Sequence, residues 1–212
     1  MKKDSKTQLL CSAFCEFAKN GFWGATTRDI AKRAGINISS ILYYFGGKKG
    51  IYAAALENIV EAVREETAEI SKEYDVVVRS KNSAEARELL KKFTKVFLYL
   101  VCGEKLSQDM KTVFLSEYSR PSEDFSILYE GLILPFYKKM AKLLELASDR
   151  KIATRDTYLY MFPFFAQIFV FSSRQDTICR FMDWKNYDEN KKKKLLKYMY
   201  NQIDFLIDSL SC

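Results

Sequence analysis

Residues 21–50, GFWGATTRDIAKRAGINISSILYYFGGKKG, decide the fold of the N-terminal part of the chain. The threonines at 26–27 cap a short helix that Gly35 ends, and Asn37 caps another helix that continues to about Phe45. Two short helices joined by a tight turn fit a helix-turn-helix. The pattern therefore predicts a compact helical module near the start of the chain.

The side chains of this stretch divide between an inner and an outer face. Ala31 lets the two helices approach closely, and Gly35 accepts the positive φ that the turn requires. Inward packing is predicted for Ile30, Ala34, Ile36, Ile41, Tyr44 and Phe45. The outward positions of the second of these two helices, which is the third helix of the chain, are then Asn37, Ile38, Ser39, Ser40, Leu42 and Tyr43.

Helical periodicity continues on both sides of the module, and no stretch alternates with period two. A capping box at Ser5 to Gln8 predicts a first helix that Gly21 closes. A long helix is predicted from Lys48, after two glycines, and continues past Ile70. Further helices are predicted over 83–102, 107–118, 122–147, 154–173, a short stretch within 174–187, and 188–210.

We therefore predict an all-α fold of about nine helices. Residues 1–50 form an N-terminal three-helix helix-turn-helix domain, and residues 51–212 form a larger helical domain. The charge distribution follows the same division, because the first fifty residues hold nine basic and three acidic side chains, or +6 of the +7 net charge. Such asymmetry indicates a module for a polyanion joined to a nearly neutral body.

The composition excludes several classes of chemistry. The chain has no histidine, which removes histidine-based triads and zinc sites, and no carboxylate pair forms a recognisable catalytic motif. The five cysteines are scattered and lack metal-ligand spacing, which predicts free thiols. We expect a protein that is not an enzyme and has no metal or cofactor. The absence of a signal peptide or a long apolar stretch favours a cytoplasmic location away from membranes.

Residues 21–48 resemble the TetR-type transcriptional regulators in order and spacing, through GFWGATTRDIA at 21–31, AGIN at 34–37, YYF at 43–45 and Lys48. The pattern NIxxIxYYFGxKxG at 37–50 further resembles the CecR-like subgroup. Residues that extend this second match are Glu117, Pro121, Phe125, Tyr129, Glu130, Gly131 and Pro135. Ser116 and Arg120 depart from it, because arginine and histidine are expected there.

The resemblance implies that the third helix enters the major groove of double-stranded DNA. The positions that commonly touch backbone phosphates in the family are Thr27, Arg28, Tyr43, Tyr44 and Lys48. Hydroxyls and cations suit that role, and helix starts favour anions. Hydrogen bonds to bases are expected from Asn37, Ser39 and Ser40, and thymine-methyl contacts from Ile38 or Leu42.

The family pattern also implies that the last two long helices pair with those of a second copy. The resulting homodimer would bind a palindromic operator with half-sites one turn apart, about 34 to 36 Å. The predicted dimer residues are Phe164, Phe165, Ile168, Phe171, Met199, Ile203, Leu206 and Leu210. Aromatic side chains occur on all sides of the predicted 154–173 helix. One core-facing stripe needs fewer, so a second apolar surface is implied.

Family members usually bind a small molecule within the helical body, and this binding spreads the DNA-binding heads. The candidate lining residues are Phe93, Phe97, Val101, Phe114, Glu117, Tyr118, Tyr137, Met140 and Gln167. An aromatic, methionine-containing site favours an apolar or aromatic effector. The alternative is that these side chains are ordinary core.

The leading hypothesis is a ligand-responsive transcriptional repressor that acts as a dimer. Two alternatives stay open: an architectural or interaction DNA-binding protein without an effector, and a helical enzyme that uses a carboxylate or Cys102. The run of lysines at 191–194 is interpreted as a solvated helix start rather than a second nucleic-acid patch.

Overall fold

The computed structural model describes residues 4–211, so that Lys2, Lys3 and Cys212 lie outside the described residues. This part of the chain is helical and contains no β-strand, which confirms the predicted all-α class. The elements are α1 Ser5–Gly24, α2 Thr27–Ala34, α3 Ser39–Phe45, α4 Lys48–Ser80, α5 Ser83–Cys102, α6 Gln108–Ser119, α7 Phe125–Leu128, a π-helical segment Tyr129–Ile133, α8 Leu134–Ala147, α9 Thr154–Ser173, α10 Gln175–Met182 and α11 Glu189–Ser211.

The backbone divides into two compact units. The first contains the chain up to Arg64 together with Leu106–Ile133, and the second contains Glu65–Lys105 together with the chain from Leu134 onward. The unit that contains the helix-turn-helix is thus larger than residues 1–50. It also includes the start of α4 and the chain from α6 to the π-helical segment.

In the first unit, α1 packs against α2 and α6. Leu9, Ala13 and Phe17 of α1 are buried, as are Ile30 of α2 and Leu56 of α4. This arrangement follows from apolar residues at helical spacing, which place one stripe of each helix on a shared core.

A buried charge is also satisfied within the first unit. The carboxylate of Glu16 accepts hydrogen bonds from Arg33 at 2.7 Å and from Asn20 at 2.9 Å. A buried carboxylate with such partners avoids the cost of an isolated buried charge.

The start of α1 differs from the predicted capping box, which was wrong. Asp4 occupies the N-cap position, and no side-chain capping bond is made there. The Gln8 amide instead donates to the Ala34 carbonyl oxygen at 2.8 Å, at the end of α2. At the other end, Gly21 has a non-helical backbone with a φ of 66°, in agreement with the predicted helix end.

The single helix predicted over 122–147 consists of three consecutive segments, α7, the π-helical segment and α8. Pro135 follows the π-helical segment and has no N–H to donate to the carbonyl of Gly131, four residues earlier. Arg64 Nη2 donates to that carbonyl oxygen at 3.3 Å. The proline therefore explains why regular α-helical bonding is interrupted here.

In the second unit, α5 packs against α8, α9 and α11. Its interior is an aromatic cluster in which Phe97 lies 5.2 Å from Phe136 and 5.3 Å from Phe165, measured between ring centroids. Phe165 and Met140 are fully buried. The rings of Phe97 and Phe136 are stacked, whereas those of Phe97 and Phe165 meet edge to face, and both arrangements fill the core with rigid side chains.

Candidate nucleic-acid interface

The first helix of the predicted helix-turn-helix, α2, is capped at both ends. Thr26 Oγ1 accepts a hydrogen bond from the Asp29 backbone N–H at 3.1 Å and donates to the Asp29 carboxylate at 2.6 Å. Gly35 ends the helix in the left-handed region, with φ 65° and ψ 29°. The Ile36 N–H then returns to the Ala31 carbonyl oxygen at 3.1 Å, which fixes the tight turn before α3.

The inner face of α3 is anchored by Ile41, which is buried, while Phe45 and Ile36 are half-buried. The opposite face is open, because Leu42 is 68% exposed and Tyr43 is 82% exposed. An exposed leucine and tyrosine on a short helix of a compact unit leave a surface available to a partner. The predicted assignment of these outward positions agrees with their exposure in the described structure.

Asn37 and Ser39 form a local turn at the start of α3. Asn37 Oδ1 accepts from the Ser39 backbone N–H and from Ser39 Oγ, both at 2.9 Å. This places the capping role on Asn37, although α3 itself begins at Ser39. The amide NH2 of Asn37 stays available as a donor, whereas its oxygen is already engaged. Any base contact by Asn37 in this geometry therefore uses its donor side.

The remaining predicted contact residues lie in the same unit, near the starts of α2 and α3 or, for Tyr44, near the end of α3. Arg28 in the first turn of α2 is exposed, and Thr27 and Ser40 are half-buried. Ile38 and Tyr44 are exposed beside the outward face of α3, so the predicted inward packing of Tyr44 was wrong. A helix start presents backbone N–H groups without intrahelical partners, and these favour anions.

Lys48 at the start of α4 is held in place by the end of α1. Its Nζ donates to the Trp23 carbonyl oxygen at 3.2 Å and lies 4.8 Å from the centroid of the Phe22 ring. Gly46 and Gly47 precede it with φ values of 73° and 117°. A lysine carries three N–H donors, so that this anchoring leaves donors for an anion.

Two other basic side chains of the module are paired with carboxylates. Arg33 binds Glu16, and Lys49 binds Glu123 at 2.7 Å. The hydrogen bond from Lys49 and its charge hold the pKa of the Glu123 carboxyl below its usual range. These pairs reduce the positive field that Arg33 and Lys49 add to the module.

Sequence reasoning missed Trp23, which is 89% exposed at the end of α1. Its ring lies 5.2 Å from that of Phe22, whose ring in turn lies 4.8 Å from that of Tyr52. A tryptophan three residues before the cap of α2 was the available signal, because tryptophan is highly buried on average.

The predicted effector residues fall into both units. In the first unit, the ring of Phe114 stacks on that of Tyr118 at 5.8 Å. Glu117 is only 2% exposed, and its carboxylate accepts from Tyr52 Oη at 2.7 Å and from the Ser122 N–H and Oγ at 2.8 Å. The prediction of Glu117 as a polar guide for a ligand is therefore wrong here, because its oxygens satisfy the protein itself.

In the second unit, Phe93, Val101, Tyr137 and Met140 are buried, and Phe97 belongs to the aromatic cluster. Gln167 Oε1 accepts from the Tyr198 hydroxyl at 3.4 Å. Their packing corresponds to the alternative in which these residues form ordinary core.

Two surface grooves are lined by other residues. One, of about 460 Å³ in the first unit, lies between Phe45, Asn58 and Ile127. The other, of about 620 Å³ in the second unit, has Ile70, Val96 and Leu100 at its apolar part and charged side chains of α4 and α5 around it. Neither groove contains any of the nine predicted effector residues.

The predicted dimer residues need correction. Phe164, Phe165, Ile168, Met199 and Ile203 are buried within the chain itself and offer no surface to a partner. Their apolar character is used by the packing of α5, α8, α9 and α11. Phe171, Leu206 and Leu210 are half-buried. The exposed apolar or aromatic side chains on α9 and α11 are instead Leu159, Tyr160, Phe162, Val170, Tyr198 and Phe205.

Among the described residues, no helix is both long enough and apolar enough to cross a membrane.

Family models match most of the chain. Residues 9–55 match the model of bacterial regulatory proteins of the tetR family, which contains the helix-turn-helix described above. The chain belongs to the TetR family of transcriptional regulators and is a DNA-binding regulator. Residues 86–210 match the C-terminal domain of the HTH-type transcriptional dual regulator CecR, which confirms the expected subgroup. These are families of regulators and not of enzymes.

Individual proteins agree with this assignment. The chain is 27% identical over 211 residues to the dual regulator CecR of Shigella flexneri, and the match covers 99% of this chain and 94% of that protein. Its fold is similar to that of the fatty acid degradation regulator FadR from Bacillus halodurans, with a TM-score of 0.64, 15% identity and coverage of 93% and 96%. It is also similar to a regulator from Saccharomonospora viridis solved with choline, with a TM-score of 0.62, 19% identity and coverage of 96% and 95%.

Proposed function

We propose that this protein is a ligand-responsive repressor that acts in the cytoplasm and binds a palindromic DNA operator as a homodimer. In this proposal, residues 1–50 bind DNA, and residues 51–212 carry the effector site and the dimer contacts. The observation that carries it is the open face of α3, where Leu42 and Tyr43 are exposed opposite the buried Ile41.

The outer face of α3 has the chemistry to distinguish bases in the major groove. Ser39 and Ser40 carry hydroxyls, and Asn37 offers its amide donors. Leu42 and Ile38 have no polar atoms, and their side chains suit contact with thymine methyl groups. We therefore expect thymine opposite α3 in the operator.

Phosphate contacts are assigned to the surrounding helix starts and hydroxyls. Lys48, at the start of α4, is oriented by Trp23 and Phe22, and Arg28 lies in the first turn of α2. Thr27, Tyr43 and Tyr44 supply hydroxyls in the same unit. Such contacts fix the position of a protein on DNA without distinguishing sequence.

The homodimer is assigned to the exposed apolar side chains of α9 and α11 rather than to the buried residues named from the sequence. Leu159, Phe162 and Val170 recur along α9, and Tyr198 and Phe205 lie on α11. A two-fold pair of such faces would form a four-helix contact in which each copy contributes the same surface.

The effector is proposed to be a small apolar or aromatic molecule. The aromatic cluster around Phe97 supports this chemistry, although its rings are in contact at about 5 Å in this conformation. Such a ligand would have to separate packed rings, and this would couple binding to a change of conformation. Quaternary ammonium compounds and fatty acids belong in the test set, because structural neighbours are a choline complex and a fatty acid degradation regulator.

The same close packing favours a second candidate, a DNA-binding protein that has no effector. Selection of binding sites from random DNA by the purified protein, repeated with a ligand library, separates the two. The proposed function predicts a palindromic consensus whose binding at least one compound reduces. A consensus that no compound affects would favour the second candidate. Absence of any enriched sequence would contradict the proposed function, and failure to bind any duplex would contradict both.

A further inference from the structure

Trp23 presents an almost fully exposed indole at the junction of α1 and α2. Its exposed fraction of 89% contrasts with the neighbouring Phe22, which is half-buried against Tyr52. Single exposed apolar residues are common on protein surfaces. Trp23 differs from these because it lies next to residues that are proposed to bind DNA.

The surroundings of Trp23 form one connected cluster. Lys48 Nζ donates to the Trp23 carbonyl oxygen at 3.2 Å and lies over the Phe22 ring at 4.8 Å. The rings of Phe22 and Trp23 meet nearly edge to face at 5.2 Å, with an interplanar angle of 77°. Trp23 is therefore tied to the first residue of α4 and precedes the cap of α2 by three residues.

The chemistry of indole fits this position. Its single polar group is an N–H that can donate but not accept, so a complementary partner must offer an acceptor. The ring is large and amphipathic, which suits the boundary between an apolar surface and water. A DNA backbone offers phosphate oxygens as acceptors and deoxyribose as an apolar surface.

We propose that Trp23 is a further DNA contact, in which the indole Nε1–H donates to a backbone phosphate next to the phosphate bound by Lys48. The contact rests on the proposed function, because it requires DNA at the starts of α2 and α4. Trp23 carries no charge, so that its hydrogen bond adds affinity without releasing a further counterion from DNA. This separates its effect from that of Lys48.

The test compares wild type with Trp23→Phe and Trp23→Ala on a mixed-sequence DNA duplex over a range of KCl concentrations, using fluorescence anisotropy. Both variants are expected to bind about tenfold more weakly, as for loss of one hydrogen bond to a charged group. The slope of log affinity against log salt should stay at the wild-type value. Thermal unfolding checks that the variants remain folded. We expect them to fold, because the Trp23 side chain is exposed and contributes little to the core.

Tryptophan emission gives an independent measurement, since the chain has two tryptophans. In the Trp184→Phe variant, the emission of Trp23 should change when unlabelled duplex is added. The Trp23→Phe variant, whose remaining tryptophan is Trp184, is the matched control and should show no comparable change.

The outcomes distinguish this contact from the function on which it rests. If wild type binds DNA while Trp23→Phe binds equally well and Trp23 emission is unchanged, the contact is overturned and the proposed function stands. If wild type binds no duplex, both are overturned. A change in molecular mass on Trp23 substitution, with DNA affinity intact, would overturn the contact in favour of a protein partner.

Discussion

The hydroxyl of Tyr52 donates a hydrogen bond of 2.7 Å to the Glu117 carboxylate, which joins the start of α4 to α6 inside the first unit. The other oxygen of Glu117 accepts from the backbone and side chain of Ser122. Burial, together with the bond to Glu117, raises the pKa of the Tyr52 phenol. The pair stabilises the segment that directly follows α3.

Replacing Tyr52 by Phe leaves a buried carboxylate short of one donor. We expect a loss of about 1 to 2 kcal/mol in the free energy of unfolding, measured by urea denaturation near neutral pH. Tyr99→Phe is the matched control, because that hydroxyl bonds to the exposed Glu189 at 3.1 Å and its removal should cost less. Equal losses for the two variants would contradict the account.

The stability of the same pair should depend on alkaline pH. An unfolded tyrosine ionises near pH 10, and the raised pKa of Tyr52 in the folded protein keeps the phenol neutral. Its contribution is therefore complete below about pH 10 and is lost as the pH rises further. We expect the stability difference between wild type and Tyr52→Phe to narrow above that pH, and a constant difference would contradict this.

Gly50 allows α4 to begin directly against the end of α3. A Cβ atom at this position would lie 1.6 Å from the Phe45 carbonyl oxygen, so that the backbone must shift. Gly50→Ala is expected to cost about 1 to 3 kcal/mol and to weaken DNA binding by displacing α3. Gly24→Ala is the control, because its Cβ meets only Asn20 at an ordinary 3.4 Å. Urea denaturation and DNA anisotropy measure the two effects.

Lys48→Ala should weaken binding to every DNA sequence. If Lys48 binds one phosphate, the slope of log affinity against log salt should fall in magnitude by about one. Lys194→Ala is the matched control, since Lys194 is an exposed lysine on α11, remote in sequence from the module. The same slope in wild type and Lys48→Ala would remove the phosphate role of this residue.

Val170→Asp should disrupt the proposed dimer. Val170 is 51% exposed on α9, and burying an unpaired charge in a dimer contact is costly. We expect the variant to have about half the molecular mass of wild type in sedimentation equilibrium. Val76→Asp on α4 is the control, because that valine is 58% exposed and lies outside the proposed face. A monomeric wild type, or a Val170→Asp dimer, would contradict the proposed interface.

Helix positions were predictable from the sequence where local signals were strong. Thr26 caps the start of α2 and Gly35 ends it, as expected, and α5 spans Ser83–Cys102 as predicted. The outward face of α3 was also predictable, because glycine, the cap and the apolar spacing all fix the helix phase. These are local signals that depend on a few neighbouring residues.

The errors in the predicted site residues concern contacts between distant parts of the chain. Apolar residues surround α9, so that its sequence gives no phase, and the buried Phe165 could not be distinguished from the exposed Val170. The partner of Glu117 is Tyr52, 65 residues earlier, and no local pattern indicates that pair.

In the proposed function, α3 selects a palindromic operator through its outward face. The most direct measurement is selection from random DNA by wild type and by Leu42→Ala, followed by sequencing of the bound fraction. We predict inverted repeats with half-sites about one helical turn apart, with thymine enriched opposite α3 for wild type and less enriched for the variant. Enrichment of no inverted repeat, or of the same thymine positions in both proteins, would contradict the account.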